Sequence, residues 1–201
     1  MYRPIVYIVD DDPGIRRSLA LWLGFRDLAT REFDAAEAFL AAIGSQTQGC
    51  AIVDVQLGGM TGLQLQTRLA EAGVGLPLLF LTGHGDVPTA RAALKAGAFD
   101  FLEKPVDNER LVDLVGAALR EDERRWEAVR EEERRRERLE RLTPREREVM
   151  EQVVAGRHNR EIAAQMGISA RTVEVYKARL MDKLDVRRVA DLVRFAMRGQ
   201  G

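Results

Sequence analysis

The sequence predicts an α/β fold, a doubly wound five-stranded parallel sheet, joined by a long charged helix to an all-α module of four helices. Three observations carry this. Over residues 1–118, short β-branched and aliphatic runs alternate with segments of helical periodicity, the pattern of a parallel sheet covered on both faces. Residues 119–141 are almost wholly Glu and Arg and contain neither Gly nor Pro. Residues 142–201 hold helical patterns alone, two of them separated by a three-residue turn containing Gly.

The sheet elements follow in order. Ile5 to Val9 is a strand that runs into Asp10, Asp11 and Asp12. Residues 14–23 form a helix with Ile15, Leu19, Trp22 and Leu23 near one face. Ala29 to Phe33 is a second, weaker strand. Asp34 and Glu37 have capping-box spacing for a helix carrying Phe39, Leu40 and Ile43. Cys50 to Val53 is a third strand, ending at Asp54, and a helix follows from about Gly62 to Ala72. Leu78 to Leu81 is a fourth strand, closed by Thr82. Residues 87–96 are helical and stop at Gly97. Phe99 to Leu102 is the fifth strand, leading into Lys104–Pro105. Asp107 caps a last helix with Leu111, Leu114, Val115 and Ala118 on its apolar face. Right-handed crossovers then generate a doubly wound sheet.

The charged segment 119–141 has high helix propensity throughout. Glu121–Arg125, Glu131–Arg135, Glu132–Arg136 and Glu137–Arg141 are spaced as i,i+4 pairs, so the segment is expected to continue the preceding helix. It lacks the repeating leucines of a long coiled coil. In the last module, Thr143, Pro144 and Glu146 start a helix with a capping box, and Val149, Met150, Val153 and Val154 form its apolar stripe. Asn159 is the expected cap of the next helix, which carries Ile162, Ala163 and Met166. Gly167 ends it and Ser169 caps a third, running to about Leu184. Residues 187–197 are the fourth. Helix, short Gly-containing turn and helix is the helix-turn-helix spacing.

Composition narrows the function classes. The chain has 31 basic and 32 acidic residues, so it is no polycation. The charge is nevertheless segregated: residues 1–118 carry −5, residues 119–141 carry 0 and residues 142–201 carry +4. Different partners are expected for the acidic and basic modules. The one cysteine, Cys50, excludes an intrachain disulfide and reads as a buried small hydrophobe. No apolar run reaches membrane-spanning length, and the N-terminus lacks the order of a signal peptide. A cytoplasmic protein without membrane contact is the expectation.

The chemistry concentrates on strand ends. Asp10 and Asp11 leave the first strand and Asp54 leaves the third, at the edge where doubly wound sheets bind ligands. Three carboxylates at one edge repel and call for a cation. Oxygen donors without His or Cys suit Mg²⁺. Thr82 and Lys104 leave the fourth and fifth strands at the same edge, where a hydroxyl and an ammonium can meet phosphoryl oxygens. Asp54 is then the nucleophile that carries an acyl phosphate. Asp12 reads equally well as an ordinary surface acid.

These segments, IVDDD, IVDV with Asp54, LTGHGD and AGAFDFLEKP, closely resemble the receiver domain of a two-component response regulator, which has a flavodoxin-like fold. The resemblance covers roughly residues 4–120. It implies that Asp54 accepts phosphate from a cognate histidine kinase in a phosphorelay, and that the protein is not an enzyme. It implies a metal site of Asp10, Asp11, Asp54 and the main-chain carbonyl of Gln56, with Asp11 a direct ligand. Thr82 and Lys104 would contact the phosphoryl group, and Phe101 would be the aromatic switch. Lys104–Pro105 would be cis. Phosphorylation would drive homodimerisation through roughly residues 87–119. One departure stands out: the family usually has proline where this chain has Gly58, in DVQLGGMTG. Adjacent glycines loosen that loop, so the resemblance implies weaker Mg²⁺ binding or a loop that rearranges. His84, after Thr82, reads as loop sequence with a structural role.

Residues 142–198 resemble the LuxR/FixJ-type DNA-binding domain over LTPREREVMEQVVAGRHNREIAAQMGISARTVEVYKARLMDKL. The helix from about Ala170 to Leu184 is then expected in the major groove of promoter DNA. Arg171, Glu174, Val175, Lys177, Ala178 and Arg179 form its base-facing side, where Lys and Arg reach guanine and Val175 a thymine methyl. Arg160, Thr172 and Lys183 are expected on phosphates, and Arg157 and His158 precede a helix N-terminus that can take another. The implied function is a phosphorylation-controlled, sequence-specific transcriptional regulator, an activator as is common in the family, with RNA polymerase a further partner. Two other readings are a regulated module that binds protein and a Mg²⁺-dependent hydrolase. The cationic face of the 170–184 helix favours DNA over the first, and the lack of a second acid to serve as turnover base disfavours the other.

Overall fold

The computed structural model describes residues 2–83 and 87–197. The chain divides into two compact units between Trp126 and Glu127.

The first unit alternates β1 (Ile5–Val9), α1 (Pro13–Gly24), β2 (Thr30–Phe33), α2 (Ala36–Ala42), β3 (Gly49–Asp54), α3 (Gly62–Glu71), β4 (Leu78–Thr82), α4 (Val87–Lys95) and β5 (Asp100–Glu103) before entering α5 (Asn108–Glu140). The five strands form one all-parallel sheet in the order β2-β1-β3-β4-β5. Side chains alternate across it. Tyr7, Val9, Ala51, Val53, Leu78 and Phe80 pack with Phe39 of α2, Leu65 and Leu69 of α3 and Ala93 of α4. Val6, Ile8, Cys50, Ile52, Leu79, Leu81 and Leu102 pack on the other face with Leu19 and Leu23 of α1 and Leu111, Val115 and Ala118 of α5. Each fully buried Leu, Ile or Phe contributes roughly 1.5–3 kcal/mol of apolar burial. Cys50 is fully buried, and burial pushes its thiol well above its ordinary range.

Two local expectations change. Asp34 and Glu37 form no capping box: Ala35 is the N-cap of α2, and the Glu37 carboxylate instead accepts from the Met60 amide at 3.2 Å. Asp12 is a cap, accepting from Gly14 N at 2.7 Å and Ile15 N at 3.3 Å at the start of α1.

The charged segment is helical without a break, since α5 runs to Glu140. Its ion pairs differ from the expected set. Arg124–Glu121, Arg134–Glu131 and Arg135–Glu132 pair at i,i+3, and Arg136–Glu140 at i,i+4. Both spacings share a helix face, and the long Arg side chain folds back as readily as forward. The segment is also not exposed throughout. Asp122 and Trp126 are buried. The Asp122 carboxylate accepts from Gly49 N at 2.7 Å, the Tyr2 hydroxyl at 2.9 Å and the Arg125 guanidinium at 2.6 Å. This staple fixes the chain's beginning and the start of β3 to α5.

The second unit contains α6 (Pro144–Val154), α7 (Asn159–Met166), α8 (Ala170–Leu184) and α9 (Val189–Met197). Val149, Met150, Val153, Ile162, Val173, Leu180, Leu184 and Leu192 form its core. Thr143 and Glu146 make the expected capping box on α6. Asn159 is the first residue of α7 rather than its cap; Glu161 reaches back to accept from His158 N at 2.7 Å. Gly167 closes α7 with φ of 66°, where glycine carries no Cβ penalty. Ser169 caps α8, accepting from Thr172 N at 3.0 Å.

Candidate functional site

The strand order reverses between β1 and β3, and the carboxylates gather there. Asp10 follows β1 directly, Asp11 comes next, and Asp54 is the last residue of β3. Oxygens of all three lie within 4.8 Å of one another. Asp10 and Asp54 are buried while Asp11 is exposed. The Lys104 ammonium, just past β5, donates to Asp54 Oδ2 at 2.8 Å and to Asp10 Oδ2 at 2.9 Å. The second oxygens are also held: Asp10 Oδ1 accepts from Asp12 N at 2.9 Å and Asp54 Oδ1 from Gln56 N at 3.2 Å. Arg16 fixes the Asp10 carbonyl at 2.7 Å.

Charge is unbalanced here. Three carboxylates face one ammonium. Burial pushes the Asp10 carboxyl above its ordinary range, and the hydrogen bonds from Lys104 and Asp12 offset this only in part. For Lys104, burial acts downward, but the hydrogen bonds to Asp54 and Asp10 outweigh it and raise the ammonium. A divalent cation among the three acids would remove the remaining excess, and an all-oxygen donor set open on the Asp11 side suits one that keeps part of its water shell.

Thr82, buried, ends β4 between the strands that deliver Asp54 and Lys104, and its carbonyl accepts from Lys104 N at 2.8 Å. The Lys104–Pro105 bond is cis. Phe101 is half-buried in β5, opposite Phe80 and against the core that also holds Tyr7 and Val53. Gly58 passes close to Asp11: a Cβ there would stand 3.6 Å from Asp11 Oδ2. His84 lies outside the described residues.

On α8, Arg171, Glu174, Val175, Ala178 and Arg179 are exposed on the side opposite the buried Val173, Leu180 and Leu184. Val175 is 44% exposed, high for an aliphatic side chain on a folded helix. Arg160 is exposed on α7. Arg157, His158, Asn159, Arg160 and Lys177 line a cleft of about 800 Å³ at the start of α7. Lys177 is half-buried and donates to Asn159 Oδ1 at 3.1 Å, so this base-facing candidate is tethered to α7. The Thr172 hydroxyl is shared with Ser169 at 2.8 Å.

Lys183, expected on a phosphate, meets a carboxylate of its own unit. Its ammonium bonds Glu146 Oε2 at 2.7 Å, and that carboxylate is 4% exposed. The same oxygen accepts from Thr143 N at 2.9 Å. Burial pushes the Glu146 carboxyl up, but Lys183 and Thr143 together hold it below the ordinary carboxylate range. Lys183 thus ties α6 to α8 within the second unit. Lys183→Met should lower second-unit stability by about 1.5–3 kcal/mol, the range for a hydrogen bond to a charged group. Glu146 contributes its charged interactions at and above its ordinary titration range, and they are lost as pH falls below it. Thermal melts should therefore separate wild type from Lys183→Met at neutral pH and converge in acid. A dependence of DNA affinity on salt that is shallower in Lys183→Met by about one counterion would restore the phosphate contact.

Family models match both units. A response regulator receiver domain matches residues 6–116, and the LuxR family of bacterial regulatory proteins matches residues 140–196. The chain belongs to the two-component response regulators. Among similar proteins, this regulator is 40% identical to the transcriptional regulatory protein FixJ of Bradyrhizobium diazoefficiens, over 96% of this chain and 94% of that one. It is 42% identical to the C4-dicarboxylate transport transcriptional regulatory protein DctR of Rhodobacter capsulatus, over 94% of this chain and 97% of the other. The solved structure of the response regulator StyR superposes with a TM-score of 0.90 at 34% identity, covering 98% of this chain and 99% of that one. Full-length FixJ from B. japonicum gives a TM-score of 0.61 at 40% identity, with 98% of each chain covered. The regulator is therefore a transcriptional regulator and not an enzyme. Its receiver domain implies a histidine kinase as partner, and its LuxR-type domain implies DNA. No described helix is long and apolar enough to cross a membrane.

Proposed function

We propose that this regulator accepts a phosphoryl group on Asp54 from its histidine kinase and, once phosphorylated, pairs through roughly residues 87–119 to engage a two-fold-related promoter site as an activator. The observation that carries the first half is the convergence of Asp10, Asp11 and Asp54 within 4.8 Å, with Lys104 bridging two of them. Asp10, Asp11, Asp54 and the Gln56 carbonyl would hold Mg²⁺, which would neutralise the acids and the phosphoryl oxygens when bound. An Asp54 carboxylate oxygen attacks phosphorus as the bond from phosphorus to the donor imidazole nitrogen breaks, and the imidazole departs. Lys104 turns from Asp54 to a phosphoryl oxygen and keeps Asp10. The Thr82 hydroxyl takes another phosphoryl oxygen, and Phe101 follows inward. Phosphorylation then shifts an existing equilibrium toward the dimer.

Arg171, Glu174, Val175, Lys177 and Arg179 would read base edges, with Arg160 and Thr172 on phosphates. Lys177 would leave Asn159 to reach a base. RNA polymerase is the further partner of an activator, and the cytoplasm the site of action. The test is gel-shift titration of genomic fragments with the full chain, with and without acetyl phosphate and Mg²⁺. Selective tightening on a subset of fragments, together with a dimer in solution by light scattering, is expected. Fragment affinities indifferent to phosphodonor would overturn the coupling.

A further inference from the structure

The loop between β3 and α3 carries the Gln56 carbonyl and skirts Asp11, yet lacks proline at position 58. It is anchored at both ends. Gln56 N donates to Asp54 Oδ1 at 3.2 Å, and Thr61 caps α3 in a capping box with Gln64. Between these anchors lie Gly58 and Gly59, and Gly59 has φ of 114°, a region that side-chain-bearing residues rarely adopt. Such a stretch has little stiffness of its own.

Glu37 supplies it from outside. The residue sits in the first turn of α2, and its Oε1 accepts from Met60 N at 3.2 Å. It also lies against Gly59, where an added Cβ would stand 3.4 Å from Oε1. The neighbouring Gly58 lies near Asp11, which an added Cβ there would approach to 3.6 Å. The glycine pair therefore lies near both the Asp11 and the Glu37 carboxylates, the first in the proposed metal site and the second outside the group that converges there.

We infer that Glu37 is a positioning residue for metal binding: by holding Met60 N it keeps the Gly58–Gly59 turn against Asp11, so that Asp11 and the Gln56 carbonyl face the ion together. This rests on the proposed metal site. Glu37 itself touches neither metal nor phosphoryl group.

The test uses the full chain labelled with ¹⁵N, comparing wild type with Glu37→Gln and Glu37→Ala. Amide exchange at Met60 is measured without metal, and MgCl₂ affinity is read from amide shifts. Loss of one hydrogen bond predicts Met60 exchange faster in Glu37→Ala by about three- to ten-fold, with Mg²⁺ affinity weakened over a similar range. The Glu37→Gln amide oxygen still accepts from Met60, so this variant should lie near wild type in both. Acetyl phosphate labelling of Glu37→Ala should recover at saturating MgCl₂. Equal Mg²⁺ weakening in Gln and Ala variants would mean that Glu37 acts only through its charge, and the clamp falls. Unchanged Mg²⁺ affinity in Glu37→Ala also removes it. Wild type that binds no Mg²⁺ at these acids would instead remove the site itself.

Discussion

Asp54→Asn is expected to take up no phosphoryl group from acetyl phosphate and Mg²⁺ while keeping its fold. The substitution is nearly isosteric, and its single amide oxygen can take over one of the two bonds that Asp54 accepts, from Gln56 N at 3.2 Å or from Lys104 at 2.8 Å. Lys104 retains Asp10 at 2.9 Å, so no buried ammonium is stranded. What disappears is the anionic nucleophile, and an uncharged amide does not attack phosphorus. Intact-mass spectrometry should show a phosphoryl adduct on wild type only, mapped to Asp54 by peptide analysis. Stoichiometric labelling of the Asn variant at another side chain would sink the assignment of acceptor.

Asp11→Ala separates the proposed nucleophile from the proposed metal donor. Asp11 is exposed, and removal of an exposed side chain typically changes stability by no more than about 0.5 kcal/mol. Asp54 and Lys104 remain paired. Labelling and its response to Mg²⁺ should nevertheless be lost together, because one of three converging carboxylates is gone. Full labelling of this variant at ordinary Mg²⁺ would show that the remaining two acids suffice.

The strand-end acids were legible in the sequence because each ends an apolar run, and chain order alone places such ends on one edge of a parallel sheet. The helical course of 119–141 was legible from composition. Interactions joining distant segments were not. Asp122 finds Gly49 at 73 positions and Tyr2 at 120 positions away, and nothing in a Glu/Arg-rich stretch marks one acid as buried. Lys183 meets Glu146 from 37 positions away, and spacing marks Glu146 only as a capping-box acid. Its carboxylate does both, with Oε2 shared between Thr143 N and Lys183. Glu37 likewise sits three residues after Asp34, and spacing cannot tell a cap from a carboxylate already committed to Met60.

Gly49→Ala should unfold or severely loosen the first unit. Gly49 opens β3 with φ of 122°, and a Cβ there would lie 1.9 Å from the Ile5 carbonyl oxygen and 2.7 Å from Ile5 N. Both obstacles are backbone, so no rotamer change relieves them. Ile5 and Gly49 are register partners at the start of the β1–β3 ladder, which leads to Asp10 and Asp54 at its other end. The Gly49 amide also donates to buried Asp122 at 2.7 Å, and a shifted backbone weakens that bond. Backbone strain of about 1–3 kcal/mol, overpacking of about 1–3 kcal/mol and a weakened charged hydrogen bond of about 1.5–3 kcal/mol together approach the roughly 5–15 kcal/mol that holds a typical domain folded. A fall in Tm on the order of 10–20 °C is the least expected. Gly44→Ala is the control: nothing lies within 4 Å of its added Cβ, and it should melt near wild type. Circular dichroism melts of both variants decide the matter. A Gly49→Ala protein melting with wild type would mean that β1 and β3 can part at this end without loss. The staple from Asp122 would then contribute little to holding the strands that present Asp10 and Asp54.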